Sequence, residues 1–357
     1  MLAVAASLAG CGRRKGSRFP GFAYIANQAG HSVAAIDLSD FVVARRIPIE
    51  AAPSQVIAAG RRVFVLAPAA GVVYELNATS ILRRARVARS AVSMRLAPDG
   101  DALWVLTNDP PGLVSLDLAA LAPRARVRLP AAPRDFDLDR QGKHAAAVDS
   151  AISVADLKTG AIYRVEVTRH ARLVRFRRDW EPAALIIADA ADRSIVMAGL
   201  KSGRALARLP LPLEPAHFCM KSDGGELFVS GPGMDAVVAV YPFSTEIGET
   251  LLAGRAPGEM AISTAPEYLF VTNPGSGDVT ILDLATRKLA GVATVGHDPG
   301  GILFTPDQQY ALVLNRQSGD VAVLRMSMIR PQRRKTAPLF TMIPVGARPV
   351  SGAVAPA

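Results

Sequence analysis

Four ionisable side chains of different kinds, Asp135, Arg172, His217 and Glu259, follow one another at intervals of 37, 45 and 42 residues. An acid, a base, an imidazole and a second acid are groups that hold a charged ligand, carry a proton or ligate a metal. Gln55 belongs to the same series further upstream, and His297 with Asp298 stands just beyond it. Spacing alone supports no Ser-His-Asp or Cys-His pairing. Nor does the chain contain a Walker loop, a Gly-x-Gly-x-x-Gly turn or a zinc-type cysteine pair. Any shared chemistry depends on elements that bring residues about forty apart to one place.

Residues 257–296 show what those elements are. Short apolar runs at 259–263, 269–273, 278–284 and 288–295 are rich in β-branched and aromatic side chains and are separated by Gly, Pro, Asn or Asp. That pattern predicts four antiparallel strands joined by tight turns. The unit recurs. Its second strand is marked by Tyr24, Phe64, Trp104, Ala146, Ile186, Phe228, Phe270 and Leu312, with successive spacings of 40, 40, 42, 40, 42, 42 and 42. The end of its third strand is marked by Asp37, Asn77, Asp117, Asp156, Gly199, Tyr241, Asp283 and Arg325. Five of these eight are Asp or Asn, which can accept hydrogen bonds from the turn that follows. A four-stranded repeat of about forty residues is the signature of a β-propeller blade, so the expectation is an all-β ring of eight blades, with seven as the alternative. The first repeat lacks an inner strand, and the tail 346–356 aligns proline to proline with 296–306, so the C-terminal strand should complete blade 1.

Tyr24-Ile25-Ala26-Asn27, Leu269-Phe270-Val271-Thr272-Asn273, Asp278-Val279-Thr280-Ile281-Leu282-Asp283 and the turn Ala97-Pro98-Asp99-Gly100 resemble the YVTN-type propeller repeat. The resemblance covers residues 20 to 356 and is weakest in blades four to six. It implies a propeller but leaves function open, because similar propellers include surface-layer-like proteins, lactonases and haem-binding members. Residues 1–19 form a separate leader and linker before the propeller domain of 20–357. The leader ends Leu8-Ala9-Gly10-Cys11, which resembles a bacterial lipoprotein signal with Cys11 as the lipid-accepting residue. This implies export to the periplasm or cell surface and a lipid anchor in the membrane. Cys219 is then a lone, buried thiol; a Cys11–Cys219 disulfide is the other possibility.

The chain of 357 residues is 50% hydrophobic, with 29 Gly and 26 Pro, as a turn-rich domain with a large core requires. Its net charge of +10 comes mainly from arginines spread through every repeat, which reads as solvated blade edges and not as a nucleic-acid surface. Residues 327–339, with Arg330, Arg333, Arg334 and Lys335, form the one long insertion, a basic loop on the bottom rim. In a propeller, the leads into the inner strands and the hairpins between strands two and three share the top rim. Two positions past the opening proline, or its equivalent, the inner strands carry Gln55, Ser93, Asp135, Arg172, His217, Glu259, Gly301 and Ser351. Asp135, Arg172, His217 and Glu259 should therefore face one sector of the channel mouth, with His297 beside them. They either hold a polar ligand or pair with one another and trapped water. His31, His144 and His170, the last in place of an opening proline, read as structural. Three functions follow: a binding or interaction module, leaning away from an enzyme, for a polar small molecule or a protein; a lactone hydrolase; or a tetrapyrrole-binding propeller of the haem d1 kind. No metal site is expected, the cofactor is open, and the chain is expected to be a monomer.

Overall fold

The computed structural model describes residues 17, 19–178, 183–329 and 338–357. Cys11 and residues 330–337 of the basic insertion lie outside the described residues. Thirty-two strands form eight four-stranded sheets, each antiparallel in the order inner to outer. Eight blades are therefore present, as the two series of spacings require, and the seven-bladed alternative falls away.

Blade 1 is closed by the last strand of the chain. Pro349–Pro356 pairs with Gly21–Asn27, from Gly21 opposite Pro356 to Asn27 opposite Pro349, and the Ala357 N–H donates to the Pro20 carbonyl at 3.1 Å. Inner strands of blades 2 to 8 are Gln55–Ala59, Ser90–Leu96, Asp135–Leu138, Ala171–Phe176, His217–Met220, Met260–Ile262 and Pro299–Phe304.

The core lies between neighbouring blades. Phe64, Leu66 and Val73 of blade 2 pack on Met94, Leu103 and Val105 of blade 3, and Phe228 of blade 6 packs on Leu269 and Val271 of blade 7. Alternate residues on each strand supply the two faces, so every interior strand is apolar on both. The Asp and Asn residues at the strand ends do what their position suggests. Asp37, Asn77, Asp117, Asp156 and Asp283 each accept a backbone N–H from two or three residues further on, at 2.7–2.9 Å.

Several arginines are more than solvated edges. Arg46, Arg126 and Arg208, on the outer strands of blades 1, 3 and 5, donate at 3.0 Å to the carbonyls of Val345, Val87 and Val167. Each of those carbonyls lies on the lead into the inner strand of the same blade. The guanidinium thus crosses the top rim and fixes the lead, which an ammonium with three donors on one centre does less well.

Candidate functional site

The inner strand is the edge of its blade, so its outward N–H and C=O groups face the channel without a ladder partner. Side chains at the top position of one blade satisfy the next. Ser351 of blade 1 accepts from the Val56 N–H of blade 2 at 3.1 Å. Gln55 of blade 2 accepts from the Met94 N–H of blade 3 at 2.8 Å and donates to its carbonyl at 2.9 Å. Asp135 of blade 4 accepts from the Val174 N–H of blade 5 at 3.0 Å. Gln55 and Asp135 are therefore stitches between blades, and their polar groups are already used.

Asp135 belongs to a longer ladder that the sequence reading passed over. Two residues down the strand, Asp137 accepts from the Phe176 N–H at 2.9 Å, while Arg175 bonds Asp135 at 2.6 Å. Arg95 of blade 3 sits 3.6 Å from Asp137 and donates to the Phe136 carbonyl at 2.6 Å. Two acids between two arginines leave this sector of the channel nearly neutral. The signal was present in the sequence, since Arg95, Asp137 and Arg175 stand two places after Ser93, Asp135 and Leu173, which is the same face of a strand.

Arg172 departs from the expected register. Asp135 pairs with Val148 and His217 with Ser230, whereas in blade 5 Ala171 pairs with Asp189 and Leu173 with Ala188. Leu173 therefore holds the equivalent position, Ala171 and not His170 opens the strand, and Arg172 occupies a bulge. From there it reaches out to Glu214, on the lead into blade 6, at 2.9 Å.

The remaining two residues of the series behave differently from Gln55 and Asp135. His217 is half-buried, and its ring makes no hydrogen bond among the described residues. Burial, followed by the positive charges of Arg172 and Arg316, lowers its pKa to about 4. The imidazole is neutral at physiological pH and keeps a free lone pair. Glu259 bonds Arg316 at 3.2 Å, and Arg316 also clasps Asp298 with two bonds of 3.0 and 3.2 Å. Burial pushes the Glu259 carboxyl above its ordinary value, Arg316 opposes this, and Asp298 adds to it. Gly300 leaves room for this arrangement: a Cβ there would lie 3.0 Å from the Arg316 guanidinium carbon. His297 is exposed on the lead into blade 8, held through its backbone N–H on the Ser318 hydroxyl at 2.6 Å.

One sector of the mouth, in blades 5 to 8, thus collects Arg172, His217, Glu259, Arg316 and Asp298. It can offer an electron pair from His217 and guanidinium donors to an anionic ligand. Elsewhere, ligand atoms of His170, Asp189 and Asp192 lie within 4.8 Å of one another. Arg208 already places a cation there, 3.1 Å from Asp189 and 3.2 Å from Asp192. His144 bonds Asp139 at 2.7 Å on the bottom rim, away from the mouth. Cys219, two residues below His217, is a free thiol that burial pushes up to about 12, so it is not a nucleophile.

No protein-family model matches the chain, and no curated protein matches it in sequence. Solved structures do share its fold. A dihydro-heme d1 dehydrogenase, NirN, determined in complex with DHE, superposes with a TM-score of 0.72 at 15% identity, over 97% of this chain and 77% of that one. The hydrazine synthase of Kuenenia stuttgartiensis gives 0.58 at 16% identity, over 89% and 99%. A functionally unknown protein from Desulfotomaculum acetoxidans gives 0.62 at 10% identity, over 94% and 99%. Identities this low speak for the propeller fold and for nothing finer.

Proposed function

We propose that this chain is an exported, lipid-anchored binding propeller whose channel mouth takes an anionic tetrapyrrole of the haem d1 kind. His217 carries the reading. It is a half-buried imidazole held unprotonated beside two arginines, and its ring has no hydrogen-bond partner among the described residues. A histidine with a purely structural role would be expected to satisfy its ring nitrogens, as Gln55 and Asp135 satisfy their polar groups at the equivalent positions of blades 2 and 4.

The residues present fit such a ligand. A neutral imidazole is the form that can ligate iron, and Arg172 and Arg316 retain donors for peripheral carboxylates. The bound group would bring its own redox-active iron, while the chain would contribute orientation and hydrogen-bond donors. NirN, which shares the fold, is a dihydro-heme d1 dehydrogenase, and this favours the tetrapyrrole over other polyanions.

Protein purified from its own host should carry the visible absorption of a tetrapyrrole, and the emptied protein should regain it on titration with haem d1. His217→Ala should weaken that binding at least about tenfold, equivalent to about 1.4 kcal/mol, with little change in melting temperature. Asp99→Ala, on a bottom turn, should bind as the parent does. Equal affinity in His217→Ala would remove the reading. Metal-dependent hydrolysis of a lactone, lost in the same variant, would replace it with the hydrolase.

A further inference from the structure

One place on the outer strands repeats around the ring. Opposite the residue three places before the one that ends each third strand stand Arg46, Arg84, Arg126, Arg164 and Arg208 in blades 1 to 5. Blades 6 to 8 have Thr250, Val292 and Met342 there instead. In blades 1, 3 and 5 the arginine fills the slot between its own blade and the incoming lead, where it donates to the carbonyls of Val345, Val87 and Val167. Arg208 adds a bond of 3.0 Å to the hydroxyl of Ser194, the first residue of the third strand.

In blade 7 the slot is open. Val292 is too short to cross it, and a groove of about 460 Å³ remains on the outer rim between blades 6 and 7. Its walls include Leu252, Leu289 and Val292, which are 79%, 54% and 45% exposed. The groove keeps the acceptors that an arginine uses elsewhere. Ala253 donates its N–H to the carbonyl just before the third strand, as Val345 and Val87 do, and so occupies their place; its own carbonyl receives no hydrogen bond among the described residues. Asp278 stands where Ser194 stands in blade 5. One of its carboxylate oxygens accepts from Asn273 at 2.6 Å, and the other has no partner among the described residues. Neither neighbouring blade repeats the combination, since blade 6 has Ala236 in place of the carboxylate and blade 8 has the longer Met342 in place of Val292.

We propose that this groove takes an arginine side chain from an extended segment of a partner protein. The guanidinium donates to the Ala253 carbonyl and the free Asp278 oxygen, a charge-assisted contact that its planar fork suits better than an ammonium does. Its aliphatic stem, and apolar residues on either side of it, lie on Leu252, Leu289 and Val292. The ring itself supplies the pattern, because Arg46, Arg126 and Arg208 make the corresponding contacts from within. The outer strand of blade 7, Lys288–Thr294, is also a sheet edge that carries no charge from Leu289 onward, so its outward backbone groups are open to pairing with an extended chain. The proposal is independent of the reading of His217, which faces the channel and not the outer rim.

The test titrates the full-length protein into a fluorescein-labelled peptide, Gly-Ala-Leu-Arg-Leu-Ala-Gly, and into the same peptide with Gln in place of Arg, with anisotropy as the readout. The net charge of +10 gives a cationic peptide no general attraction to this chain. The arginine peptide should bind at least about tenfold more tightly than its glutamine counterpart, the discrimination expected of a hydrogen-bonded charge pair. Val292→Arg supplies the guanidinium from within, as Arg46 does in blade 1, and should abolish that difference. Leu252→Lys, at a well-exposed position, should reduce it by repelling the incoming cation. Both variants should melt as the parent does. Failure of the arginine peptide to bind, equal binding of the two peptides, or discrimination that survives intact in either variant overturns the proposal.

Discussion

His217 sets the pH behaviour of the mouth. Its folded pKa of about 4 lies below the ordinary value of 6.5, so the unfolded chain takes up a proton in that interval that the folded protein refuses. The sign follows: its stabilising contribution is complete above about pH 6.5 and is lost as pH falls toward about 4. Glu259 acts in reverse, because its raised pKa favours the folded state at low pH and costs stability as pH rises through the raised value. Ligand held through the His217 lone pair should bind with constant affinity from neutral pH down to about 5 and weaken below about 4; spectroscopic titration checks this, and His217→Ala should flatten the profile. The types of these residues were legible in the sequence, and their setting only partly. Arg316 does not stand out in the sequence, because nothing local says that its guanidinium reaches Glu259 beside Gly300. Arg172 was placed one register too far in, because a bulge adds a residue without a glycine or proline to announce it.

At the scale of the element, the repeat's asparagine is a structural device. Asn27, Asn273 and Asn315 end the second strands of blades 1, 7 and 8, and all are fully buried. Asn273 donates to Asp278 at 2.6 Å and to the Thr280 hydroxyl at 2.9 Å, Asn315 to Asp320 at 2.7 Å, and Asn27 to the Val345 carbonyl at 3.0 Å. A glycine of the incoming lead covers each one: a Cβ on Gly254, Gly296 or Gly346 would meet the asparagine side chain at 2.6–3.1 Å. Asn27 bonds the lead directly, whereas Asn273 and Asn315 tie the second strand to the third of their own blade and meet the lead only by packing against its glycine. Asn273→Ala should cost about 1–3 kcal/mol, as an unpaired buried group does, and lower the denaturant midpoint without changing the slope. Strand order and most turns were readable because Asp, Asn, Gly and Pro mark them. The cross-blade stitches of Gln55 and Ser351 were not, since they exist only once two repeats stand side by side.

For the whole molecule, the ring is the unit of stability. Removing residues 348–357 strips blade 1 of its inner strand and leaves Gly21–Asn27 with an open edge against blade 2. The truncated protein should melt many degrees lower or fail to fold, as loss of several buried contacts at once implies; calorimetry against the parent decides this, and equal melting would show that the closure contributes nothing. The eight-fold count was legible because two sets of spacings agree, whereas the packing of Phe41 on Tyr310 and Phe340 was not, since it joins residues from opposite ends of the chain. That closure also imposes an order on synthesis. Three strands of blade 1 are translated before any other blade and the fourth, Pro349–Pro356, only after all seven, so a growing chain carries an unclosed sheet edge until that strand emerges. The finished ring has no such edge, and the interval between the two is when this protein most needs a chaperone.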